Sequence, residues 1–245
     1  MKREPIPQYS DTHVRRIYLL RHGEAAYFDA AGNPFPPATA SLTERGQRQA
    51  RVVARALEDV AFDRVVVSGL PRTLETARIV LGSRHLPIEI REEFQEIRRG
   101  DLAAIPDDEL DRTIAGAFRG EKDEGTPFMG GETFGALLDR VVPGIEKLTA
   151  DPTWNTLLMV LHGAVNRAIL SYALTGGGRS FFGHFEQAPA CVNILDLNDS
   201  LEGRWVVRAT NLSFYDPAHL ESRSTSMERM LCRYLPSRRG ARRSQ

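Results

Sequence analysis

The sequence predicts an α/β fold: a three-layer α/β/α sandwich with a mostly parallel central sheet and a small helical and loop cap. Short apolar runs alternate with stretches of helical periodicity, first strand, helix, strand, helix, strand, and later helix, strand, helix, strand, strand. Three of those runs, at 16–20, 65–67 and 156–161, read as buried strands, and each is followed at once by polar, chemistry-bearing residues.

The elements follow in chain order. Residues 1–13 are polar with two prolines and read as a flexible N-terminal arm. The run Arg-Ile-Tyr-Leu-Leu (16–20) is the first strand and stops at Arg21-His22. Residues 29–40, with Pro34, Pro36 and Pro37, form a loop long enough to suggest a functional role. Thr43 caps a helix whose apolar face carries Ala50, Val53, Ala54 and Leu57. Val65–Val67 is the second strand, and Pro71 suits the first turn of the helix after it. Ile88–Ile90 is a short strand. The glycine-rich, polar segment 98–131 is expected to form the cap from short helices and loops. Phe134, Leu137, Leu138, Val141, Val142 and Ile145 make a helical stripe. Thr156–Leu161 is the third buried strand, ending at His162, with a helix over 164–174. Strands over 191–197 and 205–209 and a last helix over 226–235 complete a single domain spanning 14–235. Residues 236–245, with Arg238, Arg239, Arg242 and Arg243, read as a disordered basic tail.

Composition narrows the function classes. Thirty-two basic residues balance 32 acidic ones, so a nucleic-acid partner, which favours a basic excess, is not expected. No apolar run approaches the ~20 residues of a membrane span, and no signal peptide opens the chain. Cys191 and Cys232, far apart in sequence, fit a reducing compartment, so the expected location is cytoplasmic. Nothing in the sequence sets an oligomeric state.

The chemistry sits at strand ends. In an open α/β sheet, ligands bind outside the carboxyl ends of the strands. Arg21-His22, Ser68 with Arg72, and His162-Gly163 follow the three buried strands, so two imidazoles and two guanidiniums would meet there. Helix N-termini near 71 and 164 point free N–H groups the same way. Arginine forks match phosphate oxygens, and their charge pushes the pKa of His22 down, keeping a nitrogen lone pair available. This set suits phosphoryl transfer on a small phosphorylated substrate.

The stretches Leu20-Arg21-His22-Gly23-Glu24, Ser68 to Ala77, Gly131-Glu132-Thr133 and Leu161-His162-Gly163 together resemble the histidine phosphatase superfamily, in its phosphoglycerate mutase-like branch. That resemblance implies that His22 is the nucleophile and becomes phosphohistidine. It implies that Arg21, Arg72 and His162 hold the phosphoryl group, with Gly23 and Ala164 at the phosphate. Glu96, in Phe94-Gln95-Glu96-Ile97, matches the family's general acid/base, near Glu92 and Glu93. The implied activity is that of a metal-independent phosphatase with no cofactor. The alternatives are a phosphoglycerate mutase-type phosphotransferase and a non-catalytic phosphate-binding module. The short interval from Glu96 to Glu132 is similar to that of the phosphatase members. The pattern departs at Ala25 and Phe28, where the family has a hydroxyl and an asparagine, and at Arg98-Arg99-Gly100, where it often has Trp-Glu-Gly.

Several features carry blander readings. Glu132 reads as a carboxylate near a helix N-terminus, Gly176–Gly178 as a helix C-cap, and His13, His85, His184 and His219 have no partner motif. His22-x-Glu24 lacks the Pro-Cys-x-x-Cys that a zinc deaminase needs, so no metal is expected. Phe28, Phe35, Phe128, Phe181 and Phe182 are candidates for apolar walls or for core.

Overall fold

Strand β1 (Val14–Arg21) is the middle of the molecule. It pairs in parallel with β4 (Thr156–Leu161) on one side and antiparallel with β5 (Val192–Asn198) on the other. The computed structural model describes residues 14–29, 33–198, 205–220 and 223–243. With β2 (Arg64–Val67), β3 (Ile88–Ile90) and β6 (Trp205–Leu212), the sheet order is β3-β2-β4-β1-β5-β6. The first four strands run parallel; β5 and β6 are the antiparallel part.

Alternation along the strands builds two cores. Ile17, Leu19, Leu157, Met159 and Leu161 face one side, under α3 (Phe134–Ala150) and α4 (Gly163–Leu174). Leu20, Val65, Val67, Leu158 and Val160 face the other, under α1 (Glu44–Ala56) and α2 (Pro71–Leu81). Period-2 geometry sends successive side chains to opposite faces, and helices on both faces explain why these strands are apolar throughout. This is the three-layer sandwich expected from the sequence.

The helix starts follow local chemistry. Thr43 Oγ1 accepts from Gly46 N at 3.0 Å to cap α1, and Thr133 Oγ1 accepts from Ala136 N at 3.1 Å to cap α3. Pro71 occupies the first turn of α2, where its missing N–H has no intrahelical partner to lose. Between β3 and α3, residues 98–131 hold three single-turn helical segments, Leu102–Ala104, Asp107–Glu109 and Asp111–Ala115.

The basic tail is corrected by the structure. Helix α5 runs Ser226–Arg243, through Pro236, rather than ending at 235. Met227, Leu231 and Tyr234 are buried, and the Arg238 guanidinium donates to the carbonyls of Leu102, Ala103 and Ile105 and to Asp107 Oδ1 at 2.9 Å. The arginine that suggested a solvated end instead ties α5 to the cap. The proposed arm at 1–13 lies outside the described residues, as do 244–245.

Candidate active site

Because β2, β4 and β1 are adjacent and parallel, their carboxyl ends deliver three loops to one place. Strand β1 ends in Arg21 and leads into His22. Ser68 follows β2, with Arg72 in the first turn of α2. His162 follows β4 as the residue before α4. The His22 and His162 rings lie 5.2 Å apart between centroids, and His22, His162 and Arg72 are buried. The backbone at His22 needs glycine on both sides of a close approach. A Cβ on Gly23 would lie 2.5 Å from Gly46 O, and one on Gly46 would lie 2.0 Å from Glu24 O.

Hydrogen bonds fix the His22 tautomer. Its Nδ1 is 2.7 Å from Gly23 O, and a carbonyl can only accept, so Nδ1 carries the proton and Nε2 the lone pair. Burial, then the charges of Arg72 and Arg21, hold the His22 pKa well below its ordinary value. Tyr27 Oη lies 3.2 Å from Nε2. His162 is held neutral by burial and by Arg72, His22 and Arg21. Its Nε2 lies 2.7 Å from Ser68 Oγ, which lies 3.1 Å from Thr73 Oγ1, itself donating to Leu70 O at 2.8 Å. Read along that chain, Ser68 donates to Thr73 and accepts from His162.

Three nitrogens at this site are buried without a hydrogen-bond partner: Arg21 Nε, Arg72 Nε and His162 Nδ1. Each guanidinium is anchored elsewhere, Arg72 on Pro37 O at 2.6 Å and Arg21 on Gln187 O. The Gln187 side chain belongs to a buried amide cluster with Asn166 and Asn193. A buried polar nitrogen without a partner is unfavourable by ~1–3 kcal/mol. The two guanidinium N–H groups around one hollow make an anion-binding arrangement, beside the Nδ1 lone pair of a neutral His162.

Glu96 reaches the same hollow from the loop after β3. Its Oε1 accepts from Ala164 N and from Ile97 N, both at 3.1 Å. Two residues expected around phosphate, Glu96 and Ala164, therefore bond each other at the N-terminus of α4. The loop is held from behind by Arg140 of α3, which donates to the carbonyls of Glu93 (2.8 Å), Gln95 (2.6 Å) and Glu96 (3.3 Å) and to both oxygens of Glu132. Glu132 also accepts from Arg98 N at 2.9 Å. Its part is thus to staple the Glu96 loop to α3; Thr133, not Glu132, caps the helix.

The superfamily profile described as histidine phosphatase superfamily (branch 1) matches residues 17–213. The chain belongs to the histidine phosphatase superfamily. Among its relatives is the adenosylcobalamin/alpha-ribazole phosphatase of Salmonella typhimurium, 32% identical over 185 residues, covering 74% of this chain and 90% of that protein. The alpha-ribazole phosphatase of Shigella flexneri superposes with a TM-score of 0.63 at 27% identity over 80% of this chain and 96% of that one. A mycobacterial glucosyl-3-phosphoglycerate phosphatase, solved with VO3, gives a TM-score of 0.64 at 26% identity over 80% and 98%.

In this histidine phosphatase the site opens into a cavity of about 490 Å³. His22, Glu96, Arg21, Arg72 and Gly23 line it; His162 and Ala164 are not among its lining residues, the His162 ring lying 5.2 Å from that of His22. The departures at 25 and 28 have structural consequences. Ala25 is buried and bridges to Leu42, and Phe28 packs towards Tyr234 of α5 at 6.4 Å between rings. Phe28, Phe35 and Phe128 line the cavity; Phe181 belongs to the core and Phe182 lies away from it. Sequence reasoning missed two contributors. Tyr27, five residues beyond His22, reaches its Nε2, and the Arg72 guanidinium sits 5.5 Å from the Tyr27 ring centroid. Helix α5 supplies Met227, Arg229, Met230 and Arg233, with methionines spaced i,i+3 on one face as the available signal. Among the described residues no helix is long and apolar enough to cross a membrane.

Proposed function

We propose that this phosphatase hydrolyses a phosphate monoester through a phosphohistidine on His22. Support comes above all from one observation: the buried Nε2 of a neutral His22, its lone pair fixed by the Nδ1 bond to Gly23 O, beside unpartnered nitrogens of Arg21, Arg72 and His162. Nε2 attacks phosphorus in line as the ester P–O bond breaks, and the departing oxygen takes a proton from Glu96. Glu96, now a carboxylate, accepts a proton from water, whose oxygen attacks the phosphohistidine; the P–N bond breaks and phosphate leaves. Arg21 and Arg72 carry charge on the equatorial oxygens, where it spreads in the transition state, and His162 joins them when the bound dianion draws a proton onto its Nδ1. The N–H of Ala164, at the start of α4, is freed for phosphate if Glu96 turns to the leaving oxygen.

Rings of Phe28, Phe35 and Phe128 make the leaving-group side apolar, so the substrate is small and phosphorylated but not a bare polyol. We place the protein in a reducing, cytoplasmic setting, where Cys191 and Cys232 are both free thiols. The test is p-nitrophenyl phosphate turnover with trapping of an acid-labile, base-stable phosphoenzyme. The parent is expected to turn over and to label; His22→Ala is expected to do neither. A His22→Ala protein that hydrolyses at the parent rate refutes the nucleophile. With 3-phosphoglycerate and bisphosphoglycerate, free phosphate rather than 2-phosphoglycerate is the expected product.

A further inference from the structure

The family match ends at residue 213, yet the cavity has a wall beyond it. Helix α5 brings Met227 and Met230 to the chamber that Phe28 and Phe128 also line, and Tyr234 of the same helix lies 6.4 Å from the Phe28 ring. It is fastened at three points. Ser226 N donates to Glu186 Oε1 at 3.0 Å, Arg233 pairs with Glu24 at 3.3 Å, and Arg238 holds the cap carbonyls. Glu24 lies two residues from the nucleophile, so the helix is tied to the catalytic loop itself.

Charge in the chamber is lopsided. Its carboxylates are Glu24 and Glu96, and both are occupied, by Arg233 and by backbone N–H groups. Arg167 is paired with Glu186 and lies over the Phe118 ring at 4.2 Å. Arg99 differs. Its guanidinium donates to Gly100 O at 3.1 Å and, among the described residues, has no ion pair. Burial pulls its pKa down, and the more distant charge of Asp101 offsets this only in part, so an anion in direct contact would still be favoured. Arg99 stands where the family's pattern often has the glutamate of Trp-Glu-Gly, a reversal of charge on the leaving-group side.

We propose that the leaving group is a flat apolar ring bearing a carboxylate or a second phosphate, the ring lying against the apolar wall that the α5 methionines share with Phe28 and Phe128 and the anion on Arg99. This inference rests on the phosphatase reading and adds the substrate class. Methionine suits the task, because its flexible thioether packs against aromatic faces without demanding one shape. A half-desolvated guanidinium supplies a planar fork for an oxyanion.

The test is kcat/KM on three alkyl phosphates whose leaving alcohols have similar basicity: ethyl phosphate, 2-phenylethyl phosphate and its ring-carboxylated form. Burying the ring is expected to raise kcat/KM by at least about tenfold, and the carboxylate by about tenfold more. Met230→Ser is expected to cut the gain from the ring several-fold. Arg99→Gln is expected to abolish the gain from the carboxylate, and Arg99→Lys to restore part of it. The parent series needs no variant to fold. Equal values across the series, with His22-dependent turnover, overturn this inference and leave the phosphatase reading standing. No turnover of any phosphate, p-nitrophenyl phosphate included, overturns both.

Discussion

Acid should weaken this fold through its two active-site histidines before its carboxylates titrate. His22 and His162 are buried and held neutral, their pKa values well below the ordinary ~6.5. Once unfolded, each imidazole takes up a proton below that value, while the folded forms do not. The unfolded chain then binds more protons, so stability falls as pH falls. The slope approaches about 1.4 kcal/mol per pH unit for each histidine. Integrated from about pH 7 to about pH 5.5, each contributes about 1.2 kcal/mol, so the pair removes about 2.5 kcal/mol. The carboxylates of Asp196, Glu89 and Glu132 are held below their usual range by arginine partners and stay ionised in this window. Urea denaturation at both pH values gives the difference. The comparator is His22→Asn/His162→Gln, which keeps a polar atom on Gly23 O and on Ser68 Oγ; the other histidines are common to both proteins and cancel. The double variant should lose about 2.5 kcal/mol less than the parent over the same interval. An identical pH dependence in the two proteins would refute the claim that these imidazoles are neutral in the fold.

Other perturbations separate the supporting parts. Tyr27→Phe keeps the ring beside Arg72 but removes the hydroxyl 3.2 Å from Nε2, and should lower kcat/KM about tenfold with thermal stability nearly unchanged. Arg140→Met strands Glu132 and three carbonyls and should destabilise by about 3 kcal/mol. Arg140→Met/Glu132→Met should recover most of that stability while kcat stays low, because the Glu96 loop has lost its brace; full recovery of kcat would show that the brace does not position Glu96. Gly46→Ala drives a Cβ into Glu24 O and should reduce both stability and turnover, measured by denaturation and by p-nitrophenyl phosphate hydrolysis.

The strands and their functional ends were legible because apolar runs and strand-end residues are local signals. His22, Arg21, Arg72 and His162 meet where parallel topology requires, and a reader needs only the strand order to expect it. Tyr27 was hidden because it stands in a loop without periodicity, at a position where the family pattern offers nothing to match. Helix α5 was partly hidden by composition. Four arginines suggest a solvated end, and only the carbonyls of 102–105, more than a hundred residues earlier in sequence, explain where Arg238 goes. Glu132 does stand just before α3, next to its capping Thr133, but its partners, Arg140 and Arg98 N, belong to a tertiary staple that no local signal reveals.

The central position of β1 governs how the enzyme is made. Arg16 finds Asp196 only 180 residues later in the sequence, and β4 must also arrive. Long-range pairing of this kind makes assembly slow. A nascent chain that stalls before β5 carries His22 at the end of a strand with one edge unmatched, so the site cannot be complete until Val192–Asn198 has been synthesised.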